Sequence, residues 1–246
     1  MPFVPYFRNP LAQDLVATAI TLAAALGWLR LIDALAQRGL LEARLSRKII
    51  HTGAGPLFVL CWLLFSAAPL ARYLAALVPL AITAQFLLVG LGVVKDPAAV
   101  QAMTRHGNPR EILRGPLVYG LVFVVCTVLF WRTSPVGVVA LMLLCGGDGL
   151  ADIVGRRLGR ARLPINPDKS WAGSLAMFVG GLIFAAAFVA LFNALGLLQP
   201  RLSLPSALLS VVPIALAATI VEALPLGDLD NLTISAAAVV LGLLLF

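Results

Sequence analysis

The 246-residue sequence predicts an all-α fold, a polytopic integral membrane helical bundle of about eight transmembrane helices in a single domain over 1–246. Three observations carry this. Hydrophobic residues make up 61% of the chain and charged residues 12%, with a mean hydropathy of +1.01, whereas soluble domains carry about 25% charged residues. The apolar runs approach the ~20 residues a helix needs to cross a ~30 Å hydrocarbon core. They are continuous rather than alternating, which fits helices and not a lipid-facing barrel.

The spans fall in order at 11–35, 49–66, 70–94, 116–131, 134–152, 171–195, 203–225 and 232–246. The first follows only Arg8, exceeds a signal-peptide core and carries Asp14, so it is read as a span and not a leader. The second is entered through RLSRKIIHTGAG (44–55), where Lys48 and His51, three apart, share a helix side. The third is bounded by Arg72. Before the fourth, Pro109 and Gly115-Pro116 break the helix and leave a turn with Arg110, Glu111 and Arg114. The fifth ends on Asp148 and Asp152. The sixth follows a basic segment rich in Gly, Pro and Ser. Pro225 and Gly227 close the seventh and present Asp228, Asp230 and Asn231 ahead of the eighth.

Charge alternates along the loops. Segments 36–48, 95–115 and 153–170 hold 13 of the 18 Lys and Arg. The positive-inside rule places these three loops and 226–231 in the cytoplasm, with both termini opposite. Topology therefore explains most of the net charge of +7. The cations are divided among short loops, so no nucleic-acid partner is implied. Cys61, Cys126 and Cys145 sit in apolar spans without metal-ligand spacing and read as small hydrophobes.

Polar residues collect in four patches assigned to one membrane side: 44–55, 105–120, 146–174 and 222–231. Asp148 and Asp152, at i and i+4, face one way on a helix. Carboxylates beside a hydrophobic segment call for a reason. One is a Mg²⁺ held together with nucleotide phosphates. Proton or cation transport remains open as another. Gly147 and Gly149 clear space beside Asp148 for a ligand, and Arg156 follows one turn on. Gly155 and Gly159 allow tight packing or a helix break. Arg157, Arg160 and Arg162 read foremost as topology markers, and beyond that as a cationic lid with Lys169. Lys169-Ser170 opens the next helix, with Asn166 and Asp168 as candidate caps and a free N-terminus for an anion. His51 or Asp230 is the candidate general base; His106, beside Gly107, reads as solvated. The soluble nucleotide signatures G-x-x-x-x-G-K-[ST] and G-x-G-x-x-G are absent, as is H-E-x-x-H.

The string GDGLADIVGRRLGRARLPINPDKSWAGS (147–174) resembles the signature of the CTP-dependent polyprenol kinases, that is phytol, farnesol and dolichol kinases, and most of all phytol kinase-like proteins. RKIIHTGAG (47–55), REILRGPLVYG (110–120) and EALPLGDLDNLTIS (222–235) resemble further blocks in the same order. CDP-diacylglycerol synthases are more distantly similar through a Gly-Arg…Lys-Ser/Thr…Gly pattern, which here ends on Lys169, Ser170 and Gly173. The resemblance implies phosphoryl transfer from CTP to the terminal hydroxyl of an isoprenoid alcohol at the cytoplasmic face of a lipid bilayer. Asp148, Asp152, Arg156, Lys169 and Ser170 would carry nucleotide and Mg²⁺; Asp230 and Asn231 would complete the site, with Lys48 and His51 nearby. The family often has an acidic pair directly before the Asn. Here Leu229 precedes Asp230. The competing expectations are a CTP-dependent cytidylyltransferase making a CDP-lipid and a small ion-coupled transporter; the lack of an inverted repeat of broken helices disfavours the latter.

Overall fold

The structure, a computed structural model, describes residues 7–199 and 201–246. The helices are α1 (Pro10–Gln37), α2 (Ala43–Cys61), α3 (Ala71–Gly90), α4 (Pro97–Met103), α5 (Gly115–Leu129), α6 (Pro135–Met142), α7 (Gly149–Leu158), α8 (Trp171–Ala194), α9 (Leu204–Ala223) and α10 (Asp230–Leu245). The eight expected spans match α1, α2, α3, α5, α6 joined to α7, α8, α9 and α10. Among the described residues, six stretches are long and apolar enough to cross a membrane: Pro10–Gln37, Ala71–Gly90, Pro109–Leu129, Pro135–Leu158, Trp171–Ala194 and Leu204–Ala223. α10 is shorter, at 16 residues. α2 stands apart because its first turns carry Arg44, Arg47 and Lys48.

Sequence and structure differ in the loops. Segment 153–170 is not a plain loop. α7 runs on to Leu158, and strands β1 (Arg162–Leu163) and β2 (Asn166–Ser170) form an antiparallel pair closed by Pro164-Ile165. Lys169 and Ser170 therefore belong to a strand and not to a helix. Segment 95–115 contains α4, capped by Asp96 accepting from the Ala99 N–H at 3.0 Å, and a 3₁₀ turn over Pro109–Leu113. These pieces are too short for hydrophobic periodicity to reveal them.

The stretch Pro135–Leu158 is the axis of the bundle. Every residue from Pro135 to Gly149 is buried, and α8, α9, α10, α5 and α2 pack around it. It is not uniformly α-helical: Leu143–Asp148 forms a π turn. Such turns shift the side-chain register and recur at functional sites. Glycines give this helix its close neighbours. A Cβ on Gly147 would sit 2.7 Å from the Met177 sulfur of α8, and one on Gly149 would collide with Thr52 of α2.

At the end of the bundle opposite the four patches, buried Asp14 accepts from the Ser66 N–H (2.6 Å) and hydroxyl (2.9 Å). Buried Arg132 donates to the carbonyls of Trp62 (2.8 Å), Phe65 (2.7 Å) and Ser66 (2.6 Å). These bonds satisfy the carbonyls left open where α2 ends. They account for the acidic residue inside the first span as a structural clasp.

Candidate active site

All four polar patches line one cavity of about 920 Å³. α2 supplies Lys48 and His51 from its first turns, the only place where this helix is polar. The π turn delivers Asp148 onto them. The Lys48 ammonium bonds Asp148 Oδ2 at 2.9 Å, and His51 Nε2 lies 3.2 Å from the same oxygen. His51 Nε2 also lies 3.1 Å from the Leu144 carbonyl, which the π turn directs at α2. A carbonyl only accepts, so Nε2 carries the proton. The ring packs against Tyr119 at a tilt, with centroids 4.3 Å apart, and the Tyr119 hydroxyl donates to the His51 carbonyl at 2.8 Å. His51 is thus a clamp on Asp148 through the nitrogen that faces it.

Asp152, one turn on, lines the same cavity and accepts from Arg156 Nε at 2.8 Å. The two carboxylates are brought to one chamber but take different cation partners. Arg156 is at the rim, and Arg47 lies within electrostatic reach of it and of Arg44, Arg105 and Asp152. Arg47 and Arg105 also line the chamber. Arg162 lines it too, whereas Arg157 and Arg160 are exposed outside it.

The hairpin carries Lys169 inward. Its ammonium bonds Glu222 Oε1 at 2.5 Å and Asp230 Oδ2 at 3.0 Å. Burial works against its charge, but these two carboxylates outweigh that and hold its pKa above the ordinary lysine value. Raised in this way, its stabilising contribution is complete below the ordinary lysine pKa and is lost only as pH climbs through the raised value. Lys169 therefore stays charged across the physiological range. Glu222 Oε2 and Asp230 Oδ1 are buried without a hydrogen-bond partner, as is Ser174 Oγ. Leaving carboxylate oxygens unmet at such burial is costly. They point to a ligand, a proton or a cation that completes them.

Other expected site residues have structural partners. Ser170 is the cap of α8, accepting from the Gly173 N–H at 3.2 Å, and its hydroxyl reaches the Gly155 carbonyl at 3.4 Å. Neither Asn166 nor Asp168 takes that place. Asn166 instead donates to the Ala223 and Leu224 carbonyls at 3.3 and 3.2 Å, pinning the hairpin to the end of α9. Gly155 and Gly173 line the cavity wall where α7 and α8 meet: a Cβ on either would come within 3.3 Å of the other's Cα. Gly147 and Gly149 do not line the cavity; their bareness accommodates Met177 and Thr52 instead of a ligand. Asn231 lines it, donating to the Gly115 carbonyl at 2.9 Å and so tying α10 to α5. The Asp228 side chain lies outside the described ones. His106, 80% exposed, sits by Glu111 at 3.3 Å.

Sequence reasoning did not single out Glu222, Tyr119, Arg47 or Arg105. Glu222 was legible as an acid inside an apolar span, the signal that marked Asp148.

Among the described residues, no three His, Cys, Asp or Glu form a ready-made metal cage. Mg²⁺ does not require one, since it binds through one or two carboxylates plus phosphates and water. Asp148 and Asp152, in the wall of the same chamber, are two such carboxylates, and the unmet oxygens of Glu222 and Asp230 are left free to take a proton.

No family model and no solved structure matches the chain. Curated proteins do. The chain is 43% identical over 236 residues to a probable chloroplastic phytol kinase of Zea mays, covering 95% of this chain and 77% of that one. It is 44% identical to probable phytol kinase 1 of Oryza sativa subsp. japonica (95% and 74% covered) and 38% identical over 240 residues to phytol kinase 1 of Arabidopsis thaliana (97% and 78% covered). With nearly its whole length aligned at this identity, and with the four blocks of that resemblance gathered on one chamber, the chain belongs to the polyprenol kinase family, among the phytol kinases.

Proposed function

We propose that the protein transfers the γ-phosphoryl group of CTP to the terminal hydroxyl of an isoprenoid alcohol, phytol or a close analogue, at the cytoplasmic face of its membrane. The observation that carries this is the shape and lining of the cavity. A chamber of buried ion pairs opens directly into an apolar arm between α1, α2, α3 and α5. That pairing suits a reaction between a polyanion and a hydroxyl on a hydrocarbon chain.

In this reading the alcohol oxygen bonds to the γ-phosphorus, the bond from that phosphorus to the bridging oxygen breaks, and CDP leaves. Such transfers depend on positioning and charge neutralisation more than on covalent help. Lys48 and Lys169 face the chamber as fixed positive charges, and Arg47, Arg105 and Arg156 at the rim meet the remaining phosphate charge. Asp148 and Asp152 would hold Mg²⁺, which supplies charge neutralisation at the phosphates. The hydroxyl proton passes to the Glu222–Asp230 pair, whose unmet oxygens are buried in the chamber. His51 keeps Asp148 aligned. Exchanging Glu222→Gln keeps the shape and removes the acceptor. Turnover is expected to fall by about 10²-fold or more, with the KM for CTP little changed. An unchanged kcat would exclude Glu222 as proton acceptor.

The test of the whole reading is a set of membranes given γ-labelled CTP with phytol, geranylgeraniol, farnesol or undecaprenol, run beside ATP, GTP and UTP. Label in the lipid is the expected result. Label in pyrophosphate would mean a cytidylyltransferase, and no nucleotide consumption with any alcohol would overturn both.

A further inference from the structure

The apolar arm has a definite end. Along α2 the cavity wall runs from His51 to Cys61, a rise of about 15 Å. The arm is dry. Its two threonines, Thr21 and Thr83, turn their hydroxyls back to their own helices, onto the Ala17 carbonyl at 2.7 Å and the Pro79 carbonyl at 2.6 Å. Nothing there asks for a polar ligand, which matches a saturated or polyprenyl chain.

The last wall residues are Thr21 on α1, Cys61 at the end of α2 and Val78 on α3. Directly beyond, Ala17 and Ala75, one turn on from Thr21 and Val78, and Trp62, next to Cys61, are packed shut at 2%, 0% and 0% exposure. Behind them Trp62 packs at a tilt against Trp131, centroids 5.1 Å apart, and Arg132 grips the carbonyls of Trp62 and Phe65. The floor is therefore backed by aromatic packing and by the buried clasp, and it does not yield to a longer chain without breaking both.

Resting on the reading that the arm holds the alcohol's tail, we propose that the layer of Thr21, Cys61 and Val78 is a chain-length gauge. An isoprenoid whose far end reaches this layer fills the arm. One that is longer cannot seat its hydroxyl among the ion pairs, and one that is shorter leaves apolar wall unfilled.

The experiment compares kcat/KM for farnesol and geranylgeraniol, which differ by one isoprene unit, in the purified full-length protein. Val78→Phe raises the floor. It should lower the geranylgeraniol-to-farnesol ratio by about 10-fold or more, the scale of a mismatch of one or more methylenes in an apolar pocket. Val78→Ala, with no added bulk and hence the safer variant for folding, should raise that ratio. A ratio unmoved in both variants overturns the gauge while leaving the kinase reading in place. A wild-type protein active on phytol but on neither of these alcohols overturns the gauge alone, and one active on none of the three overturns the reading itself, and the gauge with it.

Discussion

At Asp148, Lys48 and His51 converge on one carboxylate oxygen. Asp148→Asn keeps the shape but removes the charge. Turnover should drop by about 10²–10³-fold while membrane insertion is retained. The same holds for Asp152→Asn, and full activity with CTP and Mg²⁺ in either variant removes that residue from the site. Lys169 differs, because it separates two carboxylates that are otherwise neighbours. Lys169→Met strands Glu222 and Asp230 as buried like charges, and breaking such a pair costs about 3–5 kcal/mol. Its melting temperature in detergent should fall together with CTP use. Adding Glu222→Gln and Asp230→Asn should restore the melting temperature without restoring activity. A single Lys169→Met variant of wild-type stability would show that the triad does not hold the structure.

At the scale of elements, the axis helix and its neighbours set the chamber's geometry. The π turn over Leu143–Asp148 displaces the register before Asp148, so the chamber depends on a local departure from α-helix that no side-chain periodicity announces. Gly147 is the contact that lets α8 approach that turn. A methyl at Gly147→Ala would press on the Met177 sulfur. The variant should lose about 1–3 kcal/mol of stability, with the KM for CTP unchanged. A raised KM for CTP at wild-type stability would instead restore Gly147 to the nucleotide site. The hairpin acts likewise as a unit. Asn166 fixes it to α9 and so sets how far Lys169 reaches.

Over the whole molecule, polar chemistry is gathered at one end of the bundle, and the clasp of Asp14, Ser66 and Arg132 closes the other. This polarity, with 13 of 18 cations in three alternate loops, predicts a fixed orientation. The three native cysteines are buried. A membrane-impermeant maleimide should therefore label Arg160→Cys only from the cytoplasmic side and Ala67→Cys only from the other. The reverse pattern would invert the topology and place the chamber outside.

Hydropathy, loop charge and the acids Asp148 and Asp152 made the helical class, the spans and the position of the chamber legible in the sequence. Burial of a long apolar run and the expense of charge near lipid are local properties of residue type. What the sequence could not convey is which charge meets which. His51 as a clamp, Lys169 held between Glu222 and Asp230, and Gly147 as a packing surface are all set by residues far apart in the chain. The floor of the apolar arm is of the same kind: Thr21, Cys61 and Val78 form a layer only once α1, α2 and α3 pack side by side. Partner choice is a matter of distance in space, and only the tertiary structure decides it.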